Sequence, residues 1–357
     1  MGNDLERRAI DKSKILLHPD RVAEWLRTGD CFPVQAEFGP TNRCNHRCVF
    51  CALDFIDRGP ADINSGVALR AINEMYSMGV KSIVFAGEGE PILHRDTPEF
   101  IRTARDLGME TALMTNGVFF TPDKAERCLP YLTWMRFSID AGTPENHARV
   151  HGTSEKDFPK IISNLRAAAE IKRREGYDVN ISVQGLLIPD SLPELVQLAD
   201  LAKTAGADNI QIKPYSQHPL SCNRCELDYH GMDATTLRRN LMSVQTDRFR
   251  VAFRDESIDR ITHARGYTEC HGLSAFALIT ARGEVIPCNI FYGNPDYVYG
   301  NINDQSLPDI WTGERRREVI QKINDTGLVA CRKGCRLDAT NKDMERVRHP
   351  EKYDAFL

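Results

Sequence analysis

Three cysteines, Cys44, Cys48 and Cys51, stand in the spacing C-x3-C-x2-C within TNRCNHRCVFCALD, residues 41–54. Three thiolates on so short a loop can close around one inorganic centre, but the loop offers no fourth ligand of the same kind. One metal position is therefore left open. Structural zinc takes a closed set of four ligands, usually from two C-x2-C halves, whereas iron–sulfur clusters sit on thiolates in tighter runs. The spacing points to a [4Fe–4S] cluster with one iron left for a further ligand, with zinc or a redox thiol loop as the alternative. A second set lies far along the chain. Cys270 and Cys288 flank a hairpin signature, HGLSAFALITARGEVIPC, in the spacing C-x12-G-x4-C, and Cys331-x3-Cys335 adds two more thiols. Together they read as a second cluster, or as a four-cysteine zinc ribbon. Cys222 and Cys225, in SCNRC, make only half a site.

Positioning these thiols requires elements that deliver loops to one edge. From 33 to 215 short β-rich runs alternate with helical stretches, the pattern of βα units on a parallel sheet. Strands are expected near 34–39, 81–86, 110–114, 133–139, 179–187 and 208–213. Helices are expected at 65–78, 96–107, 122–129, 156–174 and 191–205, with glycines as stop signals. In parallel α/β folds ligands gather at the carboxyl ends of strands, and the first cysteine run follows the first strand. Residues 1–32 read as a helical preamble, with Val22, Trp25 and Leu26 as its packing stripe. Residues 216–262 read as a connector with a helix near 234–246 and a strand at 249–254. Residues 263–340 form a cysteine-bearing module with a helix near 312–325, and 341–357 a solvated tail with Tyr353 and Phe356 as docking candidates.

Composition excludes some classes. A net charge of -4 over 357 residues argues against a surface built for phosphate contacts, so no nucleic-acid partner is expected. No apolar run is long enough to span a bilayer, and MGNDLERRAID lacks the core of a signal peptide. Gly2 invites a myristoylation reading, but Glu6 stands where Ser or Thr is required. A cytoplasmic location without membrane attachment is expected. There, eleven cysteines are metal ligands or redox groups rather than disulfides.

Phe50, just before the third cysteine, completes C-x3-C-x-aromatic-C, and the run resembles that of the radical S-adenosylmethionine (SAM) superfamily. Other strand-end motifs carry the same likeness. Gly87-Glu88-Gly89-Glu90-Pro91 is similar to the family's G-G-E-P element, and Thr115-Asn116-Gly117 to its TNG. Ser138-Ile139-Asp140, running on to Arg149 and Gly152, is similar to S-x-D-G-x-x-P…R-G. The module from 263 resembles the family's accessory SPASM domain in its shorter, twitch form, since only the last pair of the long run C-x2-C-x5-C-x3-C is present. The likeness covers nearly all of 34–340 and implies an α/β fold, a partial (β/α)6 TIM-type barrel with a small C-terminal cysteine-rich twitch (SPASM-like) module. It implies a [4Fe–4S] cluster on Cys44, Cys48 and Cys51 that binds S-adenosyl-L-methionine, reductive cleavage to a 5′-deoxyadenosyl radical, and hydrogen abstraction from a substrate. It also implies an auxiliary [4Fe–4S] cluster on Cys270, Cys288, Cys331 and Cys335, and a low-potential electron donor such as flavodoxin or ferredoxin.

By the same likeness the cofactor-binding residues are Phe50, Gly89, Glu90 for the methionine amino group, Asn116, Ser138 and Asp140 for ribose hydroxyls, and Gln184. Glu88 replaces a family glycine. Read from the residues alone, Gly89, Glu90 and Asn116 are ordinary turn residues, and Ser138 and Asp140, side by side on an alternating strand, are caps. Gln184 is a polar side chain in an apolar strand and needs a partner. Lys213, Cys222 and Cys225 are the catalytic candidates. Lys213 either touches substrate or snorkels to solvent; the cysteines read as half a metal site, a redox pair or a hydrogen-atom donor. The substrate expected is a small polar molecule, such as a sugar or aminocyclitol, oxidised with help from the second cluster. The alternatives are an epimerase, a peptide-modifying enzyme, or, in another class, a non-catalytic iron–sulfur or zinc protein.

Overall fold

Seven short strands carry the scaffold: β1 Gln35–Phe38, β2 Ser82–Phe85, β3 Glu110–Thr115, β4 Trp134–Ser138, β5 Asn180–Leu187, β6 Asn209–Pro214 and β7 Arg250–Phe253. In this computed structural model, residues 13–57, 59–225, 227–229, 231–254, 256–329 and 331–356 are described. Gly2 and Glu6 lie outside the described residues, as does the rest of the segment on which the signal-peptide and myristoylation readings rest. Each of the seven strands pairs in parallel with the next. Strands covered on both faces are mostly apolar, and β5 is buried at every position after Asn180, Ser182 and Gln184 included. Helices Ser65–Ser77, Thr97–Asp106, Pro122–Cys128, Asp157–Glu175 and Leu195–Thr204 alternate with the strands, as the sequence pattern requires. They bury Ile72, Phe100, Ile161 and Leu198 against Phe85, Leu113 and Ile181.

The sheet does not stop at six strands. The connector contributes β7, and on the other side β8 Phe276–Ile279 pairs in parallel with β1, followed by antiparallel β9 Glu284–Ile286 and β10 Gly300–Asn301. One ten-stranded sheet results, in the order β10-β9-β8-β1-β2-β3-β4-β5-β6-β7. The C-terminal module is thus an extension of the barrel sheet rather than a separate bead.

One helix is not foreseen by the sequence pattern, and two expectations are corrected. Helix Pro144–His151 is not marked by any apolar period, because the residues it buries include Asn146, His147 and His151. Its ends were nonetheless written in the chain: Thr143 caps the Asn146 N–H at 3.3 Å, Pro144 opens it, and Gly152 closes it. The tail from 341 is not simply solvated. Helix Asp338–Arg348 crosses that boundary and buries Asn341 and Met344, the latter beside Trp25 and Ala275, while Tyr353 and Phe356 stay exposed. One apolar residue and one amide on a charged helix give too thin a signal to read from sequence. In helix Pro19–Thr28, Val22 and Trp25 pack as expected, but Leu26 faces solvent.

Arg316, on helix Glu314–Thr326, is fully buried. It pairs with Asp30 and lies over the Trp311 ring at 3.9 Å, and the Trp311 indole donates to the Cys31 carbonyl at 2.9 Å. These contacts fasten the C-terminal module to the segment before β1. Arg316→Ala should lower stability by about 3 kcal/mol in an anaerobic denaturant titration, since it strands one partner of a buried pair and removes the stacked guanidinium.

Candidate active site

The loop that follows β1 carries Cys44, Cys48 and Cys51 and is held from three sides. On the first, a Cβ at Gly89 would come within 2.5 Å of the Arg43 carbonyl oxygen and 2.8 Å of the Asn42 carbonyl carbon. Only glycine lets the loop after β2 lie flat against the cysteine loop, where the Glu90 N–H donates to the Arg43 carbonyl at 2.8 Å. On the second, the Arg47 and Val49 N–H groups donate to the carbonyls of His151 and Val150, both at 2.9 Å. The chain leaves that helix through Gly152, at φ 56, because a side chain there would run into the Arg47 carbonyl. On the third, Asp54 accepts the N–H groups of Cys222 at 3.2 Å and Asn223 at 2.7 Å, so the SCNRC segment straps the loop's outer side.

Several expected residues meet here. Glu90 is buried; Oε1 accepts from the Thr115 hydroxyl at 2.7 Å and the Ile92 N–H at 3.2 Å, and Oε2 from the Asn116 N–H at 2.6 Å. Burial raises its pKa, opposed by those hydrogen bonds and by Lys124. The Asn116 amide donates to Asn45 Oδ1 at 2.8 Å, so the ends of β2 and β3 and the cysteine loop form one bonded unit. Phe50 stands edge-on to His151, with ring centroids 5.3 Å apart. Ser138 ends β4 in register with Gln184.

Asp140 departs from expectation. The strand ends at Ser138, and Asp140 takes a left-handed backbone at φ 58, so the two side chains do not share a strand face. Its carboxylate is fully buried. Oδ2 lies 3.3 Å from His151 Nε2, but that ring nitrogen faces the Ile139 carbonyl at 2.9 Å, and neither carboxylate oxygen has a hydrogen bond among the described residues. His46, His147 and His151 meet edge-on or tilted in the same layer, and His151 Nδ1 lies 3.3 Å from Cys48 Sγ. Sequence reasoning missed these histidines, because the spacing from His46 to a helix a hundred residues on carries no signal.

A cavity of about 410 Å³ opens at the carboxyl ends of the strands. Phe50, Cys51, Gln184 and Lys213 line it from the barrel, and Cys270, Cys288, Cys331 and Cys335 from the C-terminal module. Glu90, Asn116, Ser138 and Asp140 are not on its wall, nor are Cys222 and Cys225. Cys222 is exposed, and Cys225 packs against the apolar cluster of Val150, Leu186, Ile188 and Tyr215. The structure therefore does not bring these two thiols to the cavity. Glu88, however, is on the wall: its Oε1 accepts from the Ala281 N–H at 2.8 Å, tying the loop after β2 to the hairpin turn. That tie accounts for a carboxylate where a glycine was expected.

The second cysteine set passes a test for a metal centre. Burial and then the neighbouring thiols push the Cys270 thiol well up, and burial pushes Cys288 to about 12. No disulfide links any of the described cysteines, and Asn341 Nδ2 donates to Cys270 at 3.7 Å, the Leu337 N–H to Cys335 at 3.3 Å and the Ile290 N–H to Cys288. Thiols gathered in a buried space ionise only beside positive charge, and iron supplies it. Arg265 holds the turn in place by donating to the Cys331 and Arg332 carbonyls, both at 2.9 Å.

Residues 38–204 match the family model described as the radical SAM superfamily. The chain belongs to that superfamily. Residues 270–336 match the model of an iron–sulfur cluster-binding domain, SPASM. A PqqA peptide cyclase of Methylobacterium nodulans is 26% identical over 279 residues, 76% of this chain and 70% of that protein. An S-adenosylmethionine-dependent nucleotide dehydratase of Lacinutrix mariniflava is 36% identical over 112 residues, 30% of this chain and 23% of that protein. Among solved structures, Streptococcus suis SuiB bound to precursor peptide SuiA superposes with a TM-score of 0.67 at 17% identity, covering 85% of this chain and 70% of that one. As a radical SAM enzyme with a SPASM domain, the protein takes a [4Fe–4S] cluster with S-adenosyl-L-methionine and auxiliary iron–sulfur in place of zinc. Among the described residues no helix is long and apolar enough to cross a membrane.

Gly89→Ala should separate the two loops, so anaerobically reconstituted protein should carry about four fewer irons per chain than wild type. Glu88 gives a pH signature. Burial holds its carboxyl up at about 7, so the folded state keeps a proton that the unfolded chain releases near 4.5. Its stabilising share is full below the unfolded pKa and is lost as pH rises through about 7. Between about pH 5.5 and 7.5, wild type should lose about 2 kcal/mol of unfolding free energy that Glu88→Gln does not lose.

Proposed function

We propose that this radical SAM enzyme modifies a peptide, taking hydrogen from one of its residues inside the cavity faced by both cysteine sets. The observation that carries the proposal is that shared wall, with Cys51 on one side and Cys270, Cys288, Cys331 and Cys335 on the other. The peptide reading is supported by relatives named PqqA peptide cyclase, whose similarity runs through 76% of this chain. The expected sugar or aminocyclitol substrate gives way to this alternative. The epimerase reading loses its suspects, since neither Cys222 nor Cys225 lines the cavity.

When bound, the cluster with adenosylmethionine supplies a 5′-deoxyadenosyl radical and the auxiliary cluster a one-electron acceptor, which together suit a two-electron oxidation. Cys44, Cys48 and Cys51 would hold the first cluster, and Cys270, Cys288, Cys331 and Cys335 the second. Glu90 Oε2 already accepts one hydrogen bond and keeps a lone pair for the methionine ammonium. Asp140 has a buried carboxylate in need of donors, which ribose hydroxyls would provide. Phe50 and Gln184 offer the cofactor an apolar and a polar surface, while Gly89 and Asn116 hold the loops after β2 and β3 against the cysteine loop. Water is kept out by the strap over the cysteine loop and by the C-terminal module, joined where the Gly334 N–H donates to Ser216 Oγ at 2.9 Å. A low-potential carrier such as flavodoxin or ferredoxin would deliver the priming electron in the cytoplasm.

The test begins with iron and sulfide per chain after anaerobic reconstitution. The triple variant of Cys44, Cys48 and Cys51 to Ala should fall from about eight irons to about four and release no 5′-deoxyadenosine with adenosylmethionine and dithionite. Wild type should release 5′-deoxyadenosine faster with a small-peptide fraction than with a panel of sugars and aminocyclitols; the reverse order would sink the peptide reading.

A further inference from the structure

Pairing of β1 with β8 fixes the two strands but not the loops that carry the thiols. Cys44, Cys48 and Cys51 lie beyond the carboxyl end of β1, whereas Cys270 precedes β8 and Cys288 follows β9, away from the hairpin turn. The segment that follows β6 bonds to both sets. Toward the first, Ser221 Oγ donates to the Cys51 carbonyl and Asn223 Nδ2 to the Cys48 carbonyl, both at 3.4 Å. Toward the second, Ser216 Oγ accepts the Gly334 N–H at 2.9 Å, inside the Cys331–Cys335 turn. Gln217 folds the segment on itself, its Nε2 donating to the Asn223 carbonyl at 2.7 Å. Between these ties sits His218, fully buried. Its ring stacks on Phe55, just past Cys51, with centroids 5.0 Å apart and planes 25° from parallel. Nδ1 accepts the Leu220 N–H at 3.1 Å, and Nε2 lies 3.3 Å from the carbonyl of Asn289, the residue after Cys288.

We propose that His218 is the positioning residue that fixes the first thiol set, and the cluster it carries, relative to the second. The assignment rests on both sets holding iron–sulfur and not on the peptide reading. One ring touches both sides: its face meets the end of the first cysteine loop, and its edge meets the backbone beside Cys288. A carbonyl can only accept, and Nδ1 already receives the Leu220 N–H, so the ring is neutral with its proton on Nε2. Burial favours that form by lowering the His218 pKa, with the Asn289 bond as the first opposing influence. Stacking fixes the ring's height over Phe55 and the two hydrogen bonds fix its rotation, so the contacts restrain different motions. Two centres that act on one substrate must hold their spacing, because a misplacement of about 1 Å can cost on the order of a hundredfold in rate.

The test is pulsed electron paramagnetic resonance on the anaerobically reconstituted and fully reduced holoenzyme, reading the dipolar interaction between its two clusters. Wild type should give one narrow distribution of intercluster distance. His218→Phe keeps a ring on Phe55 but loses both nitrogens, and should lose the narrow distribution. His218→Gln keeps an amide donor that can reach Asn289, and should restore it. Iron content and adenosylmethionine affinity should hold in both variants, which separates a shift in placement from a loss of folding. An unchanged distribution in His218→Phe overturns the proposal, as does a loss that His218→Gln fails to restore. So does a wild type whose distribution is broad from the outset. If His218→Phe sheds iron, Phe55→Leu decides by the same readout: a broadened distribution with full iron supports the proposal, and an unchanged one overturns it. No peptide enters the measurement, so its outcome is independent of the substrate reading.

Discussion

The parallel pairing of β8 with β1 is the constraint on which the rest of the molecule depends. Gln35 to Phe38 register against Phe276 to Ile279 on one side and Ser82 to Phe85 on the other. The first cysteine loop leaves the carboxyl end of β1, and the hairpin that precedes Cys288 begins with β8. One strand therefore sends one thiol set out from its carboxyl end, while Cys270 before β8 and Cys288 after β9 flank the hairpin on the side away from its turn, and the cavity between reaches both sets. A cavity walled by Cys51 and by four distant cysteines is the consequence. Were the module a bead on a linker, the two sets would have no fixed relation.

Charged side chains reinforce that union where a parallel sheet alone would leave it weak. Glu37 of β1 pairs with Arg336, one residue past the last cysteine, and Glu88 caps the hairpin turn from the loop after β2. Arg316 clamps the last long module helix to Asp30, just ahead of β1. These contacts are partly or wholly buried, where a lost partner costs far more than at the surface. They fix the spacing of two sites whose chemistry depends on that spacing, while the acids that take part are withdrawn from the cavity's own charge balance.

The cysteine loop shows the same economy at short range. It is gripped by backbone groups from the ends of β1 and β2, by the end of helix Pro144–His151, and by the strap at Cys222 and Asn223. Backbone contacts suit this task because they hold the thiols in place without competing with them as ligands. Cys222 and Cys225, which look like half a metal site in the sequence, serve the loop from outside: one through its N–H to Asp54, the other by packing on the same apolar cluster as Phe50.

The sequence by itself determined the repeat of strands and helices, the two thiol sets and the loops that carry them. Each of these is local. A buried parallel strand must be a short apolar run, a helix start needs a cap, and cluster thiols come at spacings a loop can bridge. Cys44, Cys48 and Cys51, Gly89 with Glu90, and the hairpin between Cys270 and Cys288 were legible for that reason. Only the tertiary structure decided that the module continues the barrel sheet, that Asp140 turns away from Ser138 into a buried layer of histidines, and that Cys222 and Cys225 stay off the cavity wall. It also decided that Lys213 and Arg254, 41 residues apart, share a cavity wall. Such relations depend on which surfaces meet when the sheet curls, and burial energy depends on total area and packing rather than on any spacing along the chain.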